Sequence, residues 1–147
     1  MESVIIYTDG GCSGNPGPGG WAFVLTAGAD EMLGSGGEDH TTNNRMELRA
    51  VIAALEEAER RSPGASVVVN TDSQYVKNGI TSWIASWKRN GWRTADKKSV
   101  KNKELWEELD LVNSRVKPRY EWVKGHVGVE GNERCDAMVQ VEIAKFR

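Results

Sequence analysis

Two apolar runs in this 147-residue chain end the same way. Val4-Ile5-Ile6-Tyr7-Thr8 closes on Asp9, and Val67-Val68-Val69-Asn70-Thr71 closes on Asp72. Runs this short, rich in β-branched residues and followed by a small residue (Gly10 or Ser73), read as buried strands. In an open α/β sheet, sites form at the carboxyl ends of the strands, so the two aspartates converge if their strands are neighbours. A single such Asp is better read as a turn former or helix N-cap. For two at matching strand ends, that reading and a functional one stand about even.

Two more acids join them. Glu47 sits beside the apolar stripe of a helix in Asn43-Asn44-Arg45-Met46-Glu47-Leu48, and Asp136 lies early in a C-terminal helix in Asn132-Glu133-Arg134-Cys135-Asp136. Each alone is an ordinary first-turn acid favoured by the helix dipole. The four together carry the inference. Acids gathered near a core repel one another and lose hydration, so they call for a cation. Magnesium is expected, being hard and usually held by a few carboxylates plus waters and phosphates. The pattern points to phosphoryl-transfer chemistry.

Strands are expected over 4–9, 20–27 and 31–37, with 10–20 as a Gly-rich turn. Leu48, Val51, Ile52 and Leu55 recur at helical spacing, predicting a helix over 43–61, capped by Thr42 or Asn43 and stopped by Ser62-Pro63-Gly64. A strand over 66–71 precedes a helical stretch punctuated at Gly79. A helix follows over 102–114, then a strand over 120–123, a loop over 125–131 and a last helix. Strands first, then alternating helix and strand, predict one α/β domain over 1–147, a mixed sheet with helices on its faces and no appended domain.

Composition, 39% hydrophobic and 27% charged, is that of a globular domain. No apolar stretch approaches a membrane span, and no secretory signal opens the chain. A cytoplasmic monomer is expected. Cys12 and Cys135 make neither a disulfide framework nor a zinc site and read as free thiols.

A net charge of −2 argues against a nucleic-acid partner until its distribution is read. Residues 88–103 carry Lys88, Arg89, Arg93, Lys97, Lys98, Lys101 and Lys103 against Asp96 alone, a local +6 on a body of −8. A basic patch on an acidic body is the footprint of a polyanion partner. Trp83, Trp87 and Trp92 interleave with this segment, and Gly91 breaks it into a protruding helix-loop. Aromatic faces suit sugars and bases, and cations suit phosphates. The bland alternative is an amphipathic helix with core tryptophans, and both are expected at once. His126, among the three glycines of 125–131, can approach a site and carry a proton, although a solvated loop histidine is the default. Asn15, Asn43, Asn44, Gln74 and Asn102 are amides suited to minor-groove edges and 2′-hydroxyls, each equally a turn or cap residue.

These stretches resemble a known family in order. Tyr7-Thr8-Asp9-Gly10, Gly14-Asn15-Pro16-Gly17-Pro18-Gly19-Gly20, Thr41-Thr42-Asn43-Asn44-Arg45-Met46-Glu47-Leu48 and Thr71-Asp72-Ser73-Gln74-Tyr75-Val76 are similar to ribonuclease H type 1. So are Gly91-Trp92-Arg93-Thr94-Ala95-Asp96-Lys97-Lys98, Trp122-Val123-Lys124-Gly125-His126 and Gly131-Asn132-Glu133-Arg134-Cys135-Asp136. Ala137-Met138-Val139 stands where the family often has Glu-Leu-Ala, and Phe146 closes a short end with less to anchor it.

The resemblance implies a ribonuclease H-like fold, a five-stranded mixed sheet with a basic protrusion. It implies Mg²⁺-dependent cleavage of the RNA strand of RNA–DNA hybrids, leaving 5′-phosphate and 3′-hydroxyl ends, with a role at RNA primers and R-loops. By resemblance Asp9, Glu47, Asp72 and Asp136 are metal ligands and His126 a mobile proton carrier. Asn15, Asn43 and Gln74 meet the RNA strand, and Thr42 and Asn102 hold a DNA-strand phosphate. Trp83, Lys88, Lys97 and Lys98 line the DNA-strand channel. Two Mg²⁺ ions roughly 3.5–4 Å apart are expected with substrate bound, with Mn²⁺ as a substitute, and Asp9 as their bridging ligand. The alternatives are a hybrid-binding module without catalysis, which gains nothing from four acids, and a transposase- or integrase-type nuclease, which the protrusion and amides disfavour. A cofactor-binding α/β domain is weakest, because the Gly-rich turn leads into a strand and offers no helix N-terminus.

Overall fold

The first three strands, β1 (Ser3–Cys12), β2 (Gly17–Ala27) and β3 (Asp30–Thr41), form an antiparallel meander. The computed structural model describes residues 3–94, 100–123 and 130–146. These strands exceed their expected lengths. The Gly-rich stretch 10–20 is not one turn: Gly10, Gly11 and Cys12 pair with Trp21, Gly20 and Gly19. Backbone groups that would otherwise lack partners complete the ladder whatever side chain they carry.

Helix α1 (Asn43–Arg61) matches its expected bounds. Thr42 caps it, Oγ1 accepting from Arg45 N at 3.3 Å. Its apolar stripe, Leu48, Val51, Ile52 and Leu55, is fully buried. β4 (Ser66–Thr71) then pairs parallel with β1, and β5 (Arg119–Trp122) parallel with β4. The strand order is β3-β2-β1-β4-β5, the expected mixed sheet.

Gly79 does not interrupt the helical stretch after Asp72. α2 (Gln74–Asn78) runs through a π-helical turn, Gly79–Trp83, into α3 (Ile84–Arg89). A Cβ on Gly79 would lie 1.9 Å from the Trp106 ring, so the glycine serves close approach rather than termination. α4 (Lys103–Val116) carries Leu105, Trp106, Leu109 and Val112 inward. α5 (Glu130–Ala144) covers the opposite face of the sheet.

Two cores result. The larger lies between the sheet and α1 to α4, built on Val4, Ile6, Leu25, Val67, Val69 and the α1 stripe. The smaller, Ala22, Val24, Cys135, Val139 and Ile143, lies under α5. Period-two alternation along β1 separates them: Val4 and Ile6 belong to the first, while Tyr7 packs on the second. Arg134 forks onto Glu31 at 2.7 and 2.8 Å, and Ser35 donates to Glu142 at 2.8 Å, so α5 is tied to edge strand β3 at two points. Phe146 reaches Gly37 of β3, so the last turn is anchored more than expected. No helix among the described residues is long and apolar enough to cross a membrane.

Candidate active site

The parallel pairing of β1 with β4 runs from Ser3↔Ser66 to Tyr7↔Asn70. Two residues beyond that last pair stand Asp9, within β1, and Asp72, just past the end of β4. The expected convergence is thus a consequence of register. Asp9 does not end β1, which continues to Cys12 against β2; it lies just past the last parallel pair.

Glu47 reaches the same place from the second turn of α1, and Gly10 makes that possible. A Cβ there would lie 2.4 Å from the Met46 carbonyl carbon and 2.5 Å from the Glu47 nitrogen. Without it, α1 backbone sits directly on the strand. Ligand oxygens of Asp9, Glu47 and Asp72 all lie within 4.8 Å of one another. Asp9 is buried, and the Oε2 of Glu47 is buried without a hydrogen-bond partner among the described residues. Glu47 is therefore not an ordinary solvated first-turn acid. Burial, then the charges of Asp9 and then Asp72, push its carboxyl well above the usual range, against a hydrogen bond from the Gly10 backbone. Like-charged groups held this close, one with an orphaned oxygen, form a donor set that suits a hard divalent cation.

A cleft of about 400 Å³ opens over this triad, lined also by Asn43, Asn44, Gln74, Tyr75, Asp136 and Gln140. Asp136 faces the cleft but stands outside the close triad. It is exposed and, with α5 described from Glu130, lies in the second turn rather than the first. The Arg134–Glu31 fork fixes the turn that carries it. Cys135 next to it points inward, Sγ donating to Tyr7 O at 3.3 Å. Burial and then the Asp9 charge push its thiol up to about 12, so it stays protonated. Cys12 donates to Gly17 O and Thr41 O, and both cysteines are free.

Of the remaining predicted residues, Asn43 and Gln74 line this cleft. Asn15 accepts from the Asn43 backbone at 3.2 Å, joining the β1–β2 turn to the start of α1. Asn43 and Gln74 are exposed on the cleft. Trp83 lies in an aromatic cluster with Tyr75, Trp87 and Trp106, its ring centroid 5.6–6.3 Å from theirs, and Trp92 extends it through Trp87 at 6.2 Å. All three segment tryptophans are half-buried against the larger core, so the inward-packing expectation holds for each. Lys88 pairs with Asp110 of α4 at 3.2 Å, a half-exposed contact of small net value. Asn102 precedes α4 in the left-handed region, φ 60°, and its side chain makes no cap bond. His126, Lys97 and Lys98 lie outside the described residues.

Sequence reasoning did not single out Gly10, Arg45, Tyr75 or Gln140. Only Gln140, one helical turn after Asp136, carries a local signal.

An RNase H family model matches residues 1–144. The chain belongs to the RNase H family. Among relatives named Ribonuclease H, one from Rhodopseudomonas palustris is 56% identical over 147 residues, covering 100% of this chain and 96% of its own. Another, from Paracoccus denitrificans, is 53% identical over 152 residues, covering 100% and 96%. Among solved structures, LC9-RNase H1, described as a type 1 RNase H with the type 2 active-site motif, superposes with TM-score 0.86 at 29% identity, covering all of this chain and 74% of that one. LC11-RNase H1, solved with an RNA/DNA hybrid, superposes with TM-score 0.74 at 28% identity, covering 97% of both chains. The RNase H fold of this chain is the mixed sheet expected, and its acidic triad is placed to hold a divalent metal.

Proposed function

We infer that this chain is a hydrolase that cleaves the RNA strand of RNA–DNA hybrids, with Mg²⁺ as its metal. The observation that carries the reading is the triad of Asp9, Glu47 and Asp72 within 4.8 Å, on an open cleft of an RNase H family member. Asp9, Glu47, Asp72 and Asp136 would hold the metal. Divalent ions bound there supply charge neutralisation at the scissile phosphate and lower the pKa of an attacking water.

The chain's own side chains do the rest. Asp9, central and buried, orients the ligand set, and Gly10 seats Glu47 beside it. Asp136, exposed at the cleft edge, contributes more weakly. His126 would accept or relay a proton at the product side. Asn15, Asn43 and Gln74 would test the cleaved strand for 2′-hydroxyls. Thr42 and Asn102 would hold a phosphate of the other strand. Trp83 and the cations Lys88, Lys97 and Lys98 would follow its backbone; engaging Lys88 requires only the weak Asp110 pair to open. A monomer in the cytoplasm acting at primers and R-loops fits this activity.

The test is cleavage of a labelled hybrid beside duplex RNA, duplex DNA and single-stranded RNA. Cleavage of the hybrid's RNA strand alone, abolished by chelator and restored by Mg²⁺, is expected. Tight hybrid binding without cleavage would overturn the enzymatic reading in favour of a binding module.

A further inference from the structure

Arg45 belongs to no motif role assigned above, yet it touches both residues proposed to hold the DNA-strand phosphate. Its backbone N–H donates to Thr42 Oγ1 at 3.3 Å. Its Nη1 donates to Asn102 Oδ1 at 3.1 Å and to Glu104 Oε1 at 2.5 Å. On the other side, Asn102 Nδ2 donates to the Tyr75 hydroxyl at 3.1 Å, and Trp106 Nε1 donates to the same oxygen at 3.0 Å.

The donor inventory leaves one solution for this chain of contacts. A guanidinium has only donors, so the amide atom facing it must be Oδ1. An indole N–H is also donor-only, so the Tyr75 oxygen accepts from Trp106 and from Asn102. Trp106 is fully buried, which fixes that end. The Asn102 amide therefore cannot flip without setting its NH₂ against the guanidinium. Its carbonyl edge is occupied, and its nitrogen keeps a second N–H. The backbone fits the same assignment: Asn102 occupies the left-handed region ahead of α4 yet makes no cap bond with its side chain. Thr42 is in a parallel state, since its oxygen accepts from Arg45 while its O–H proton stays available.

We propose that Arg45 is a positioning residue that turns the Asn102 amide so that an N–H, not the carbonyl oxygen, faces the DNA-strand phosphate. This rests on the reading of Asn102 as a phosphate-holding residue. A flipped amide would aim a carbonyl dipole at an anion and repel it. Tyr75 is the second anchor of the same amide.

Steady-state kinetics on hybrid substrate test this with Arg45→Met, Asn102→Ala, the double variant and Asn102→Asp, each checked for folding by thermal melt. Asn102→Ala should raise KM about tenfold, the scale of one hydrogen bond to a charged group, with kcat within about twofold. Arg45→Met should raise KM in the same way, and the double variant should be no worse than Asn102→Ala alone. Asn102→Asp keeps the acceptor for Arg45, and so the local fold, but replaces the donor edge; its KM should rise at least as far. Multiplicative KM losses in the double variant would overturn the proposal, because Arg45 would then act independently of Asn102. So would an unchanged KM in Arg45→Met beside a raised one in Asn102→Ala. An unchanged KM in Asn102→Ala would refute the phosphate reading itself and the proposal with it, while leaving cleavage of hybrid intact.

Discussion

Replacing Gly10 by Ala is the sharpest perturbation of the site that substitutes none of its ligands. The new methyl would stand 2.4 Å from the Met46 carbonyl carbon, 2.5 Å from the Glu47 nitrogen and 2.7 Å from the Met46 oxygen. All three are backbone, so no side-chain rotation relieves them. Ordinary contact begins near 3.4 Å, so the second turn of α1 must withdraw from β1 by about 1 Å. Glu47 moves with it, away from Asp9 and Asp72. Overpacking of this kind destabilises by roughly 1–3 kcal/mol. A 1 Å misplacement of a catalytic group costs on the order of 10²-fold in rate. The neighbouring residue supplies the control. A Cβ on Gly11 faces α5 and would meet only the Val139 side chain at 3.2 Å, which can turn aside. Mg²⁺-dependent hybrid cleavage should therefore fall about 100-fold in Gly10→Ala, with a higher Mg²⁺ requirement, and only a few-fold in Gly11→Ala. A kcat for Gly10→Ala within about threefold of the parent would refute the claim that this glycine seats Glu47.

Glu47→Gln should kill cleavage but stabilise the metal-free protein at neutral pH by about 1–3 kcal/mol, the scale of an uncompensated buried polar group. Because the folded state raises this carboxyl's pKa, wild-type stability is full below the ordinary Glu range and falls as pH rises towards the elevated value; the gap between variant and wild type should thus vanish in acid, as melts with chelator across pH would reveal. Adding Mg²⁺ should reverse the order at neutral pH, and an equal response of both proteins would argue against Glu47 as a ligand. Gly79→Ala sets a methyl 1.9 Å from the Trp106 ring and should lower stability by roughly 1–3 kcal/mol in urea denaturation, with hybrid KM rising as Tyr75 and Asn102 shift. Asp9→Asn should abolish cleavage at any Mg²⁺ concentration, whereas Asp136→Asn, altering an exposed acid outside the triad, should retain measurable activity.

Much of the fold was legible because its signals are local. The α1 stripe and its stops bracket 43–61, and β-branched runs bracket 66–71. The Asp9–Asp72 pair was legible for a related reason: two aspartates follow similar apolar runs, and parallel register does the rest. The Gly-rich stretch misled because strand membership there depends on a hydrogen-bonded neighbour rather than on propensity. Gly79 misled likewise, since the ring that requires it arrives from 27 positions further along.

Most element types, the acidic set, the basic segment and the amides could be read from the chain alone, because periodicity, charge and residue chemistry belong to it without any fold. Packing, by contrast, sets the close triad of three acids with Asp136 apart, leaves one Glu47 oxygen without a partner among the described residues, and turns Arg45 to Asn102 rather than open water. Those are distances between residues 25 to 127 positions apart. They are set by strand register, by how closely α1 can approach a strand lacking a Cβ, and by which donor meets which acceptor once the helices have packed.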